Sequence, residues 1–328
     1  MDQVVGQAAP VGAPEWLRER VAEHGGPYAL ERPLRVLTEA ADFFDVVPYD
    51  IMHLAGRYYL IRGLEFEGRF GLEEQPKPWV KRAIDLETGA KKVLKFAFYE
   101  TFSDTLGPAT INYVRSPEKE AHVLDIVRGH PHFMQGFPVI DPTGNNIRIL
   151  DRILGPPLDG YIEAMRLPHE RYFHERMPGV LGNLVPAFEA IGFLHRAGQK
   201  HGDIRRDHIL VEHGSGTYRW IDFDFDYYQP EQPYGVDIFG LGNVLLFVAG
   251  MGIHTVADIY HERPDVFEEL REEDTSPVLR NRVCNLRKLF PYVPVKLNNI
   301  LLHFSLGADV FYESVDELLY DLRDYLAH

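Results

Sequence analysis

From residue 57 to 98 polar and apolar positions alternate, first in RYYLIRGLEFEGRFG and then in PWVKRAIDLETGAKKVLKFAF, where ETG reads as the turn of a hairpin. This pattern predicts an antiparallel sheet. In EKEAHVLDIVRG the period changes: Ala121, Val123, Leu124, Ile126 and Val127 recur at helical spacing, and Gly129 and Pro131 end the run. NIRILDRIL predicts a further strand, closed by the punctuation GPP at 155–157. Beyond it the chain is predicted to be mostly helical, with segments near 180–197, 236–251, 264–273, 296–306 and 314–327. Two short strands interrupt them, HILVE and YRWIDF, joined by the turn HGSG. WLRERVAEH predicts a short helix, and the preceding MDQVVGQAAPVGAP (1–14) has no period and is expected to be disordered. A β-rich first half followed by an α-rich second half predicts the α+β class, and no internal repeat is visible.

Composition narrows the function classes. With 328 residues, 45% hydrophobic and 12% aromatic, the chain can bury a large core as one two-lobed unit or two domains. A net charge of −15 opposes the counterion release that drives nucleic-acid binding, so no nucleic-acid partner is expected. The longest apolar run, 241–251, is about half of the ~18 residues of a membrane span, so no membrane partner is expected either. A single cysteine, Cys284, excludes an internal disulfide framework; it lies in the helical pattern LRNRVCNLRKLF and is expected to be a core residue. With no cationic leader and apolar run at the start, a cytoplasmic location is expected.

Candidate chemistry concentrates in HGDIRRDHILVEHGSGTYRWIDFDFD, 201–226. Asp203 sits in a loop after the amphipathic helix VPAFEAIGFLH, and Asp222 ends the second strand of the hairpin. Paired strands can hold both carboxylates at one end of the ribbon. LHRAGQKHGDIRRDHILV and WIDFD resemble the catalytic loop and the metal-binding segment of the protein-kinase superfamily. Other stretches match in the order this resemblance requires. TGAKKVLKFAF is similar to the third kinase strand and puts Lys95 at the phosphate-binding lysine, with Lys91 and Lys92 falling before the apolar core of the strand. Glu120 resembles the glutamate that pairs with that lysine, and Glu118 is its nearby competitor. ILDRILGPPLDGYI is similar to the hinge, with Leu150 as gatekeeper and Asp151 to Ile153 offering backbone groups to an adenine. EGRFG keeps Gly68 and Gly71 of a glycine-rich loop, and in VDIFGLGNVLLFVAG Asp237 resembles the aspartate that braces the catalytic loop.

The resemblance implies a bilobal protein-kinase-like fold: an N-terminal extension at 1–56, a β-rich lobe at 57–150 and a mostly helical lobe at 151–328. It also implies ATP and Mg²⁺ or Mn²⁺. Lys95 would hold the phosphates, Asp222 the metal, and Asp203 would orient or deprotonate an acceptor hydroxyl on a small molecule or a protein. Arg205 stands where kinases carry a lysine that contacts the transferred phosphate.

Four departures mark the chain. His208, five residues after Asp203, replaces the metal-binding asparagine and suits Mn²⁺ better than Mg²⁺. Asp224 replaces the glycine of the metal-binding segment; it and Asp226 are expected in turn or surface roles. In the glycine-rich loop Arg69 replaces a small residue and LEEQPKP follows as an insertion. The segment from Asp222 to Asp237 spans only 15 residues (237 − 222), too short for a peptide-docking activation segment and more similar to that of small-molecule kinases. Two functions follow: an atypical ATP-dependent phosphotransferase, or a pseudokinase that serves as a nucleotide-binding or partner-binding regulatory module.

Overall fold

The computed structural model describes residues 15–67, 75–106, 109–279 and 281–327. Its strands in chain order are β1 (Val36–Leu37), β2 (Ile51–Leu54), β3 (Arg57–Glu67), β4 (Gln75–Asp85), β5 (Lys91–Lys95), β6 (Glu100–Leu106), β7 (Ala109–Arg115), β8 (Gly136–Ile140), β9 (Asn146–Asp151), β10 (Ile209–Val211), β11 (Tyr218–Trp220) and β12 (Phe225–Tyr227). The chain divides into two units. One comprises Met1–Tyr99, Pro117–Arg128 and Met134–Arg152, the other Glu100–Ser116, Gly129–Phe133 and Ile153–His328.

The alternating stretch forms the middle of a seven-stranded sheet in the first unit, ordered β1-β2-β3-β4-β5-β9-β8. In it β1 and β2 run parallel, and the other neighbours are antiparallel. Alternation puts successive side chains on opposite faces, and here both faces are covered. Tyr59, Ile61, Ala83, Leu94, Ile147 and Ile149 share one cluster with Met52 and Leu54. Leu60 and Ile51, one residue out of phase, point the other way and pack with Leu17 and Val21 of the helix Glu15–Gly25. Residues 15–56 of the segment expected to be an N-terminal extension contribute to this unit: β1 and β2 add two strands and the helix closes a face. The turn at ETG forms as expected, with Gly89 at φ 74, in the left-handed region that glycine adopts without strain.

The second unit is built around the helix Met177–Arg196. By length and composition that helix could cross a membrane, yet most of it is buried, as in a core helix. Gly235–Gly250, Val295–Leu302 and Val315–Leu326 form where the apolar periods predict them. The 264–273 prediction shrinks to Pro264–Phe267 followed by a 3₁₀ turn, Glu272–Asp274. The pattern around Cys284 is helical only at Leu286–Leu289. Here tertiary pairing outcompetes helix: the Val283 and Cys284 N–H groups donate to the carbonyls of His254 and Asp274, so neither is left for an intrahelical bond. Cys284 is buried, as expected of a core residue. One element has no counterpart in the sequence reading, the hairpin β6–β7. It belongs to the second unit, where β7 pairs with β12.

The base of the second unit holds a neutral histidine. His169 stacks on Phe290 with ring centroids 3.6 Å apart and planes 6° from parallel. Its Nε2–H donates to the Ala249 carbonyl at 2.9 Å, which leaves Nδ1 to accept from the Tyr292 hydroxyl at 2.7 Å. Burial pulls its pKa from 6.5 down to about 4. Between those values the unfolded chain binds the proton that the folded chain refuses, so stability is complete above pH 6.5 and falls as pH drops toward 4. Full desolvation would set the loss at about 3 kcal/mol, and solvent screening at a ring that is only partly buried lowers it. Urea melts at pH 7, 5.5 and 4.5 check it: His169→Gln, less stable at pH 7, should show a shallower decline than the wild type, and parallel declines would exclude His169 as the cause.

Candidate functional site

In the first unit the site grows from register. Lys95 on β5 lies opposite Val80 on β4 and opposite Arg148 on β9, so all three share the sheet face away from Leu94 and Ile149. Val93 and Leu150, two residues along, share that face too. Like charges directly across two strands repel, and both cations are only 1% exposed. The helix Pro117–Ile126 resolves the conflict with a fully buried carboxylate. Glu120 Oε1 takes the Lys95 ammonium at 2.7 Å and Oε2 takes Arg148 Nε at 3.0 Å. Arg148 Nη1 also donates to the carbonyls of Asn146 at 2.7 Å and Phe96 at 3.3 Å. Glu118 is turned to the Tyr99 hydroxyl, 2.6 Å away, so Glu120 is the glutamate that pairs with Lys95.

The remaining residues expected on this side are placed as follows. Leu150 is buried beside the lysine face, between Val93 and Gly136 in the sheet register. Asp151 ends β9 with an exposed side chain paired to Lys92, its N–H bonded to the Gln135 carbonyl. Ile153 follows in irregular backbone. Gly68 and Gly71, with Arg69, lie outside the described residues.

In the second unit the loop after the helix Met177–Arg196 is held by a fully buried aspartate, Asp237. It accepts the N–H groups of His201 at 2.7 Å and Gly202 at 2.9 Å, and His195 Nε2–H at 2.9 Å. Burial drives this carboxyl up, but the His195 hydrogen bond, the His195 and His201 rings and the Gly202 N–H outweigh it and hold it below the usual range. Asp237 braces the loop, as the resemblance implies. The same loop delivers Asp203 and, through the 3₁₀ turn Arg206–His208, the buried imidazole of His208. The hairpin β10–β11 follows, anchored by fully buried Trp220, whose indole N–H donates to the Ala187 carbonyl.

His208 joins the two carboxylates. Its Nδ1–H donates to the Asp203 carbonyl oxygen at 2.8 Å and lies 3.5 Å from Asp203 Oδ2. That bond assigns the lone pair of the neutral ring to Nε2, which faces Asp222 Oδ2 at 3.8 Å. Asp222 stands at φ 60, a left-handed conformation uncommon outside glycine and best tolerated by Asn and Asp. Among the described residues no three His, Cys, Asp or Glu side chains form a complete metal cage. One carboxylate oxygen and one imidazole nitrogen 3.8 Å apart fit a cation that completes its shell with substrate phosphates and water.

Arg205 forks onto Asp207, with Nε 3.0 Å from Oδ1 and Nη2 on Oδ2; burial raises the Asp207 carboxyl, but His208 and Arg205 outweigh it and keep it below its ordinary value. Asp224, expected in a turn or at the surface, is 1% exposed and takes Arg115 Nη1 at 3.0 Å. Asp226 stays exposed, 3.4 Å from Lys200. Sequence reading also missed Arg148 and Arg115. Arg148 carried a signal, a lone charge inside the apolar strand NIRIL, since an arginine in a buried strand needs an anion nearby. Arg115 closes an alternating run, Ile111, Tyr113, Arg115.

The Lys95–Glu120–Arg148 cluster makes an asymmetric prediction. Glu120→Ala leaves two buried cations opposite each other and is expected to destabilise by about 3–5 kcal/mol, whereas Arg148→Met leaves a neutral Lys–Glu pair and costs less. Urea denaturation of both variants checks the order; equal losses would show that Glu120 does not separate the two charges.

No protein-family model and no curated protein matches the chain. Among solved structures, the kinase domain of Mycobacterium tuberculosis PknI matches at 15% identity, with 83% of this chain and 96% of that one covered and a TM-score of 0.46. A cysteine-to-alanine mutant of the same domain matches at 15% identity, with 84% and 97% covered and a TM-score of 0.49. The order of the elements, with the lysine–glutamate pair in one unit and the braced loop and carboxylate cluster in the other, is that of a protein-kinase-like fold.

Proposed function

We propose that the chain is an ATP-dependent phosphotransferase acting on a hydroxyl acceptor. The observation that carries this reading is the cluster Asp203–His208–Asp222, two carboxylates flanking one imidazole, at 3.5 and 3.8 Å, with Asp203 and His208 on a loop fixed by buried Asp237. A bound divalent cation would supply charge neutralisation for the phosphates and would be held by Asp222 and His208. Asp203, 19% exposed at its side chain, accepts or orients the acceptor hydroxyl proton. Lys95, paired with Glu120, binds the nonreacting phosphates, and Val80, Val93 and Leu150 give its sheet face the apolar surface that an adenine ring requires. The short stretch from Asp222 to Asp237 favours a small-molecule acceptor over a docked peptide.

A specific observation favours the second reading, a pseudokinase that regulates a partner through bound nucleotide. The imidazole of His208 stands where a hard oxygen ligand is expected, and Arg205, the residue expected on the transferred phosphate, is forked onto Asp207.

Three measurements test these readings. ATP with Mn²⁺ or Mg²⁺ at ~100 times its Kd is expected to stabilise the fold by about 2.7 kcal/mol in thermal melts, with smaller shifts for Lys95→Met and Asp222→Asn; no shift at millimolar ATP would sink both. Asp203→Asn, which keeps size and removes the proton-accepting charge, is expected to lower transfer of labelled phosphate from ATP to water or acceptor by about 10² or more. Equal residual rates in wild type and variant would leave the pseudokinase reading. His208→Asn is expected to raise Mg²⁺-supported over Mn²⁺-supported turnover, because an amide oxygen replaces an imidazole nitrogen; an unchanged ratio would mean that His208 is not a ligand.

A further inference from the structure

The hairpin β6–β7 lies in the chain between Lys95 and Glu120, yet it pairs with the segment that follows Asp222. Arg115 is opposite Phe225, Val114 opposite Asp226 and Tyr113 opposite Tyr227. The pairing is not backbone alone. Arg115 and Asp224, 3% and 1% exposed, form a buried ion pair at 3.0 Å. Arg115 Nε also reaches Glu100 at 3.3 Å, and its guanidinium lies 4.2 Å from the centre of the Phe225 ring. The Ser116 N–H donates to the Asp224 carbonyl at 2.9 Å. Ile111, Tyr113, Phe225 and Tyr227 complete an apolar core of their own.

The opposite side of the segment is equally constrained. Gly202, at φ 87, sits so close to the Phe225 carbonyl that a Cβ there would meet its oxygen at 1.8 Å. The loop bearing Asp203 and the strand after Asp222 are thus in backbone contact. Lys200 donates to the Tyr227 carbonyl and lies over the Tyr227 ring at 4.4 Å. The Tyr227 hydroxyl accepts the Asp237 N–H at 3.4 Å.

We propose that Arg115 is a positioning residue: through Asp224 it fixes the backbone that carries Asp222, so that an inserted hairpin sets the geometry of this carboxylate. A left-handed φ at a non-glycine residue persists only where its surroundings over-determine it, and Asp222 is two residues from the buried pair. Asp224 in place of glycine is then an anchor. The part of this proposal that gives Asp222 a metal role rests on the phosphotransfer reading; the clamp itself does not.

The test uses the full chain without nucleotide. Hydrogen–deuterium exchange is followed for the peptide covering 223–228 in wild type, Asp224→Asn, Arg115→Lys and the double variant Arg115→Met/Asp224→Asn, the last removing both charges so that no buried ion is left alone. Asp224→Asn and the double variant are expected to exchange this peptide at least ~10-fold faster, with the β10–β11 peptides unchanged, and Arg115→Lys, which keeps the charge but loses the fork, is expected to fall between them and wild type. Mn²⁺ alone is then titrated by water-proton relaxation, where affinity is expected to fall about 10-fold in the same two variants. Unchanged exchange at 223–228 in the double variant would overturn the proposal whatever the metal does. Faster exchange with full Mn²⁺ affinity would overturn the positioning of Asp222. Faster exchange in variants of a wild type that itself binds no Mn²⁺ would support the clamp and remove the metal reading.

Discussion

A carboxylate with no exposure to water survives as an anion only if donors surround it, and Asp237 meets that condition with the two loop N–H groups and His195. The loop that carries Asp203 and His208 has its shape because those N–H groups converge on one anion. The contact of Gly202 with the Phe225 carbonyl and the hydrogen bond from His208 to the Asp203 carbonyl both presuppose that shape. Remove the charge of Asp237 and each of these contacts loses its reference point. Buried charge is the recurring device in this molecule: Lys95 and Arg148 share Glu120, and Arg115 meets Asp224. In each case removing one partner would strand an ion in the interior, which is strongly destabilising.

Legibility in the sequence followed the range of the interactions. Alternation exposed β3, β4 and β5, and a largely apolar run exposed β9, because each is a local pattern; the helical period exposed Met177–Arg196 and Gly235–Gly250 for the same reason. Lys95, Glu120, Asp203, Asp222 and Asp237 could be named from motif order. What failed depended on contacts distant in sequence. Asp224 was read as a turn residue because its cation is not a sequence neighbour; the partner is 109 positions away. The strand character of β6 was masked by polar residues such as Ser103 and Asp104, which are exposed. The N-terminal segment was set apart because β1 is only two residues long and its place in the sheet comes from pairing with β2, not from a pattern of its own.

The topology of the hairpin also bears on how the protein is made. The last strand of the first unit's sheet, β9, ends at Asp151, whereas the hairpin at 100–115 belongs to a core whose other strand, β12, begins at Phe225. On a ribosome adding 5–20 residues per second, the 109 positions from Arg115 to Asp224 take roughly 5–20 s. During that interval the first unit can close its sheet while an apolar hairpin with Ile111 and Tyr113 waits for its partner. The small core that Ile111 and Tyr113 form with Phe225 and Tyr227 can therefore close only after the strand that follows Asp224 has been made.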